Sequence, residues 1–570
     1  MSRWVRFFLC ILLGIGMILL GWLVPVHLRA VDSRLLQRAG KNTPSLVDSG
    51  ITLIGERRLG AAQMIWEAAQ SAALPDRQAL GNAVTNAIIQ HPSWLIWGGG
   101  ESHLDMLFAT DPKLPKRASE PFTEWVVRLD NRGTALRLLN ASSRPTVHEL
   151  LKCRALTNTT LFPPSQSASG QAFDAALSIC ALLAEESRFS AGLSNAVYNF
   201  AAQANRGEST QPLEELFMDL MSLGQRFNWG QLVVFVGRID DAETLRRLGT
   251  LVRSTEARVP LIFAAVQFSG QPSAVAGYLM KFSQSGLDDI RASLRFRKGG
   301  LNELLRGDKR LYASKVEAEA SRLGLLKPFF DFALDWSLQT PKLAFTLKWG
   351  LYLFGGFLLA IGVHFVRPAV SALERPLQVR GFHVARELLF ALGFLLVVLL
   401  LSEPFLSQES QKVDFPFRSR LPMAGAAVPP AVAGAKSLYM NQLSLLTLLL
   451  FFVLQALIYV ACLVKLAEIR RQQIPPRLKL KLLENEDHLF DAGLYLGFAG
   501  TIVSLILVSL GVIKPSLMAA YSSTSFGIIF VSVFKIFHLR PARRQLLLIS
   551  EADSEGSGGS LATRAVHSTP

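Results

Sequence analysis

Ser516 to Val531, "SLMAAYSSTSFGIIFV", has the apolar content of a membrane helix, yet serine, threonine, glycine and alanine run through it. At helical spacing Ser516, Ala520, Ser523, Thr524, Gly527 and Val531 share one face. The stretch before it, "GLYLGFAGTIVSLILVSLG" from Gly493 to Gly511, repeats the pattern with Gly497, Gly500, Thr501, Ser504, Val508 and Gly511. Only Lys514 and Pro515 stand out as polar or rigid residues between them, which predicts a tight hairpin of two helices. Small stripes let helix backbones approach closely inside a bilayer, and a hydroxyl there can bond to a helix carbonyl. Ordinary helix packing explains such stripes by itself. Lining of a pore in a homo-oligomer is the sharper reading.

The hairpin is one part of a larger membrane pattern. Half of the 570 residues are apolar and 18% are charged, which suits a membrane protein with a sizeable water-exposed part. Apolar runs near or above the length that crosses a bilayer fall at about 7 to 27, 345 to 366, 386 to 402, 443 to 465, 491 to 512 and 516 to 537. The expected fold class is therefore all-α: a polytopic membrane protein with about six transmembrane helices and a large extracytoplasmic α-helical domain, an α-solenoid being one form of it. The first run follows Arg3 and Arg6 and lacks a small-residue cleavage site, so it reads as an uncleaved signal anchor.

Basic residues give the direction. Arg367, Arg375, Arg380 and Arg386 lie between the second and third runs, Lys465, Arg470, Arg471, Arg477, Lys479 and Lys481 between the fourth and fifth, and Arg540, Arg543 and Arg544 after the sixth. Placing these connections inside leaves both termini inside and residues 30 to 340 outside. In a bacterial cell that is a multi-pass inner-membrane protein with a periplasmic domain. The net charge of +15 is explained by these flanks, and no basic stretch interleaved with aromatics points to nucleic acid. The expected divisions are 1–29 (anchor), 30–340 (outer domain), 341–442 (transmembrane hairpin and outer loop), 443–545 (three-helix membrane region) and 546–570 (disordered cytoplasmic tail).

The outer region has helical punctuation. In "IDDAETLRRLGTLV", Asp240 and Glu243 have capping-box spacing, with Leu245, Leu248, Leu251 and Val252 on the following face. In "QPSAVAGYLMKFSQSG", Pro272 opens a helix, Val275, Tyr278, Leu279 and Phe282 form its face, and Gly286 is the expected stop. Phe235 and Phe263 head loosely similar helix pairs about 30 residues apart, which is the solenoid signal. Cys153 and Cys180 flank a turn-rich segment and would either pair outside the cytoplasm or remain two buried thiols.

Catalytic patterns are poor. "GGGESHLD", Gly98 to Asp105, gathers Glu101, His103 and Asp105 after a glycine turn but lacks a phosphate loop's Lys-Ser/Thr and any metal-ligand spacing, so it reads as a surface turn. No enzyme, metal site or cofactor is expected.

"GFAGT", with Gly497, Gly500 and Thr501, resembles the opening of the second transmembrane helix in the MotA/TolQ/ExbB proton channel family. "AAYSSTSFGIIFV", with Thr524 and Gly527, resembles that family's third helix, in which a pore-facing threonine precedes a glycine by three residues. The resemblance covers about 100 residues. It implies a ring of subunits around one or two helices of a single-span partner whose aspartate carries the proton, with Thr501 and Thr524 lining the pore. The chain departs from the family in having Ala519 where TolQ and ExbB carry a glutamate, a cytoplasmic insertion of about 25 residues, and an outer domain without a family counterpart. Its acids Glu387, Glu403 and Asp491 fall near span ends and Gln455 is the main polar group at mid-span, so a proton path would borrow its carboxylate from another chain.

Overall fold

The computed structural model describes residues 3–91, 121–255, 258–313, 327–366, 382–404, 442–509 and 517–551. It is almost entirely helical. Among the described residues the exceptions are two three-residue strands, β1 (Ala30–Asp32) and β2 (Arg310–Tyr312), paired in parallel with Val31 opposite Leu311. The chain divides into two compact units, one built mainly from Ala30–Gln339 and the other gathering Met1–Arg29, Thr340–Glu409 and Met423–Pro570.

In the first unit, short helices begin where side chains can satisfy their free N–H groups. Ser45 and Asp48 form a reciprocal capping box, as do Asn228 and Gln231. Asp241 caps the helix Ala242–Ser254 by accepting from Thr244 N at 2.7 Å, one residue later than the expected Asp240. Two adjacent aspartates were available, and the second places its carboxylate over the third N–H of the helix. Leu245, Leu248, Leu251 and Val252 are buried, as their spacing predicts.

Pro272 opens its helix and Val275, Tyr278 and Leu279 are buried, but Gly286 does not stop it. The helical run Pro272–Ser293 breaks instead at Ser283, whose φ of 49° lies in the left-handed region, and then resumes. Gly286 sits against Phe282 and Tyr278, where a Cβ would lie 3.0 Å from the Phe282 side chain. Its small size serves close packing within the run.

The core of this unit is aromatic at its centre. Phe227, Phe235 and Phe263 are wholly buried, with ring centroids 5.1 to 5.8 Å apart. Each buried phenylalanine contributes about 1.5–3 kcal/mol. The helix pairs that suggested a repeat thus meet in one shared cluster. Cys153 and Cys180 are buried free thiols, so the pairing considered from sequence is not formed. Cys153 Sγ lies 3.3 Å from Glu149 O and 3.7 Å from Ala201 O.

In the second unit, three helices among the described residues are long and apolar enough to cross a membrane: Trp4–Leu23, Pro341–Val363 and Ser522–Glu551. Six spans were expected. The other three intervals are helical, within Phe382–Ser402, Gln442–Arg471 and Ala492–Ser509, but do not meet that standard over their described residues. For the last of these the described apolar stretch is Ala492–Ile502. Trp4, Phe8 and Leu12 are 62%, 62% and 72% exposed, an apolar surface of the kind lipid covers. Gly14 and Gly355 allow the Arg3–Leu23 and Pro341–Val366 helices to touch: a Cβ on Gly355 would lie 2.7 Å from Ile18.

The sixth interval continues past its expected end. The run reaches Glu551, so the tail expected from 546 is helical at first; residues 552–570 lie outside the described ones. A π-turn over Lys535–Leu539 precedes Pro541. Proline lacks the N–H that would bond the Phe537 carbonyl, and the wider turn absorbs that mismatch.

Candidate functional site

The small-residue stripes of the two hairpin helices, Ala492–Ser509 and Leu517–Phe534, face each other. A Cβ added at Gly497 would lie 2.8 Å from Ser523 O, and one at Gly527 would lie 2.7 Å from Gly493 O. Gly500 meets the Ser523 hydroxyl, with only 2.5 Å between its hypothetical Cβ and Ser523 Oγ. The opposite faces are apolar and open: Tyr495, Phe498, Ile528 and Ile529 are half or more exposed.

The approach creates a cluster of hydroxyls around one carbonyl. Thr501 Oγ1 and Thr524 Oγ1 are 2.5 Å apart, and they lie 3.1 and 3.3 Å from Gly497 O. One hydroxyl donates to the other, and the second donates to the carbonyl. Ser523 Oγ donates to the same oxygen at 3.0 Å. Thr501 and Ser523 are buried, whereas Thr524 is half-buried. Gly497, Gly500, Thr501, Ser523, Thr524 and Gly527 are therefore brought together; the side chain of Ser504 lies outside the described ones.

Gln455 completes the cluster from the helix Gln442–Arg471. Its Nε2 donates to Gly493 O at 2.9 Å, and it is 1% exposed. Gly493 and Gln455 were absent from the expected site. The signal was present, since an amide within an apolar run must find a partner, and the facing glycine is where a carbonyl can be reached. Below the cluster, Lys535 pairs with Asp491 at 2.7 Å and Arg543 with Asp487 at 3.0 Å, closing the ends expected to face the cytoplasm.

A second polar group was also missed. Lys348 lies within the expected 345–366 span yet is 2% exposed, and its Nζ donates to Val26 O at 2.6 Å and lies 3.5 Å from His27 Nδ1. Glu403, 5% exposed, accepts from Leu28 N at 2.7 Å. Two titratable side chains from distant parts of the chain thus converge on Val26–Leu28, which carries a third, His27. A lysine inside an apolar run was the available sign. Glu101, His103 and Asp105 lie outside the described residues.

Chemically, the hairpin cluster offers hydroxyls and a carbonyl that can orient water or a carboxylic acid, with no nucleophile–base pair among them. Comparison with known proteins finds no matching protein family, no matching curated protein and no matching solved structure.

Proposed function

We propose that the chain is an integral-membrane subunit of an ion-channel or ion-driven transport complex, similar in its C-terminal region to the MotA/TolQ/ExbB family. In this reading six spans hold it in the bacterial inner membrane, several copies assemble, and Ala30–Gln339 serves outside as a docking or sensing domain. The observation that carries the proposal is the meeting of Thr501, Ser523 and Thr524 at one level of the hairpin with Thr524 left half-buried. In this reading Thr524, the half-buried member of the three, is the residue that a partner's carboxylic acid would meet. The acid comes from a single-span partner carrying an aspartate.

A second reading has its own support. The hydroxyls are all engaged within the chain, as Gly497 O accepts from them, which favours a non-conducting membrane anchor whose outer helices, solenoid or compact, bind protein.

Thr524→Val separates the two. The change keeps the volume and removes the hydroxyl, and Thr501 retains Gly497 O as an acceptor. The complex, purified with its copurifying partner and reconstituted in liposomes, should keep its size by light scattering and lose ion flux at least tenfold. Unchanged flux in an intact assembly, or no flux in the parent complex, contradicts the channel reading and leaves the scaffold. Gly527→Leu does not discriminate, because its side chain would strike Gly493 O within the same hairpin.

A further inference from the structure

The helix Ser522–Glu551 has 30 residues and is about 45 Å long, whereas the hydrocarbon core of a bilayer is about 30 Å thick. Its surface shows where the excess lies. Ile536 and Phe537 are 56% and 68% exposed, and they are followed by exposed Arg540 and Arg544, which share a face at i and i+4. Packing fixes the other side of this last part, where Leu539 and Ala542 are buried in one cluster with Leu483 and Phe490.

Two other elements of the same unit meet it there. Arg470 Nη2 donates to Gln545 Oε1 at 3.4 Å, Lys479 Nζ donates to Arg470 O at 3.0 Å, and Arg543 Nη2 donates to Leu483 O at 3.4 Å. The end of Gln442–Arg471 and the helix Pro476–Asn485 are thereby tied to the end of Ser522–Glu551. Charge is sorted within this bundle end. Lys465 takes Glu468 and Glu486, Lys535 takes Asp491, and Arg543 takes Asp487, so half-buried bases match those acids. Among the described residues no carboxylate pairs with Arg470, Arg471, Arg477, Lys481, Arg540 or Arg544, and all six are exposed. Glu484 is the one acid in Pro476–Asn485.

We propose that this end of the bundle binds anionic phospholipid headgroups, with Arg540 and Arg544 on the long helix and Arg477 and Lys481 on Pro476–Asn485 contacting their phosphates. Lipid encircles a membrane bundle, so basic groups around its rim need not form one patch, and guanidinium groups donate in pairs to phosphate oxygens. Arg540 follows directly on the exposed apolar pair Ile536 and Phe537. That juxtaposition fits a ligand carrying both a phosphate and an acyl chain, which neither a free anion nor a nucleic acid has. The inference rests on Ser522–Glu551 crossing a bilayer and is independent of ion conduction.

The test offers the full chain, in a neutral detergent, equimolar phosphatidylglycerol and phosphatidylcholine with matched acyl chains, and native mass spectrometry counts the lipid retained. The parent should favour phosphatidylglycerol by at least about fivefold. Combining Arg477→Gln, Lys481→Gln, Arg540→Gln and Arg544→Gln should erase that preference and keep phosphatidylcholine retention, because all four side chains are exposed. If the combined variant does not fold, the pairs Arg477→Gln with Lys481→Gln and Arg540→Gln with Arg544→Gln should each lower the preference about twofold. Combining Lys41→Gln, Arg137→Gln, Arg206→Gln and Arg247→Gln removes the same charge from exposed positions of Ala30–Gln339 and should leave the preference intact. Equal retention of the two lipids by the parent, a preference that survives the first variant, or one lost equally in the control overturns the site while leaving the span. Retention of neither lipid overturns both.

Discussion

Gly497 does two things that any side chain would prevent. It lets Ser523 O approach to within 2.8 Å of where a Cβ would stand, and its own carbonyl is left open to hydroxyls from both hairpin helices. Gly497→Val should therefore separate the hairpin at a cost of about 1–3 kcal/mol from overpacking, read as a lowered melting temperature in detergent. Gln455→Leu removes one donor and should cost about 0.6 kcal/mol. Melting temperatures equal to the parent for Gly497→Val would show that the stripe is not packed as described.

Glu214, in the Ala30–Gln339 unit, gives a pH-dependent counterpart. Burial would raise its pKa, but Thr210 Oγ1 and the N–H groups of Thr160, Leu161 and Phe162 all donate to it and hold it below the usual carboxylate range. A lowered folded-state pKa stabilises the fold above the unfolded-state value of about 4.5, and that stability is lost as pH falls through the folded value. Glu214→Gln should be less stable than the parent at pH 7 by about 1–3 kcal/mol, with the gap narrowing in acid. A gap that is constant with pH would exclude the carboxylate's role. Cys153, its thiol pushed up to about 12 by burial, should resist alkylation at pH 8 in the folded protein.

At the scale of elements, legibility followed local chemistry. The faces around Leu245 and Tyr278 could be read because their periodicity is set by neighbours three and four residues away. The end of the Pro272 helix could not, since Gly286 looks the same in sequence whether it ends a helix or receives a ring. The β1–β2 pair joins segments about 280 residues apart and has no local signature. In the candidate site the glycines and hydroxyls were legible as stripes, and Gln455 as an odd polar group. That the amide reaches Gly493 depends on a third helix and is a tertiary fact. Ser283 offers an element-scale prediction: Ser283→Gly relieves a left-handed φ of 49° and should stabilise the Ala30–Gln339 unit by about 1 kcal/mol, whereas Ser283→Val should destabilise it. Equal melting curves for the two would place no strain there.

For the whole molecule, the proposed reading, taken from apolar runs and basic connections in the sequence, has the chain thread a membrane with residues 30–339 on the opposite side from the helix Pro476–Asn485. Both the channel reading and the scaffold reading depend on this arrangement. Thiol accessibility in sealed, right-side-out vesicles tests it most directly, because Cys153, Cys180 and Cys462 are buried and Cys10 can be replaced by alanine. Single cysteines at Tyr198→Cys and Leu478→Cys, positions 40% and 52% exposed, are challenged with a membrane-impermeant maleimide. The account predicts labelling at 198 in sealed vesicles and at 478 only after permeabilisation; labelling at 478 but not 198 before permeabilisation, or equal labelling at both, would contradict it.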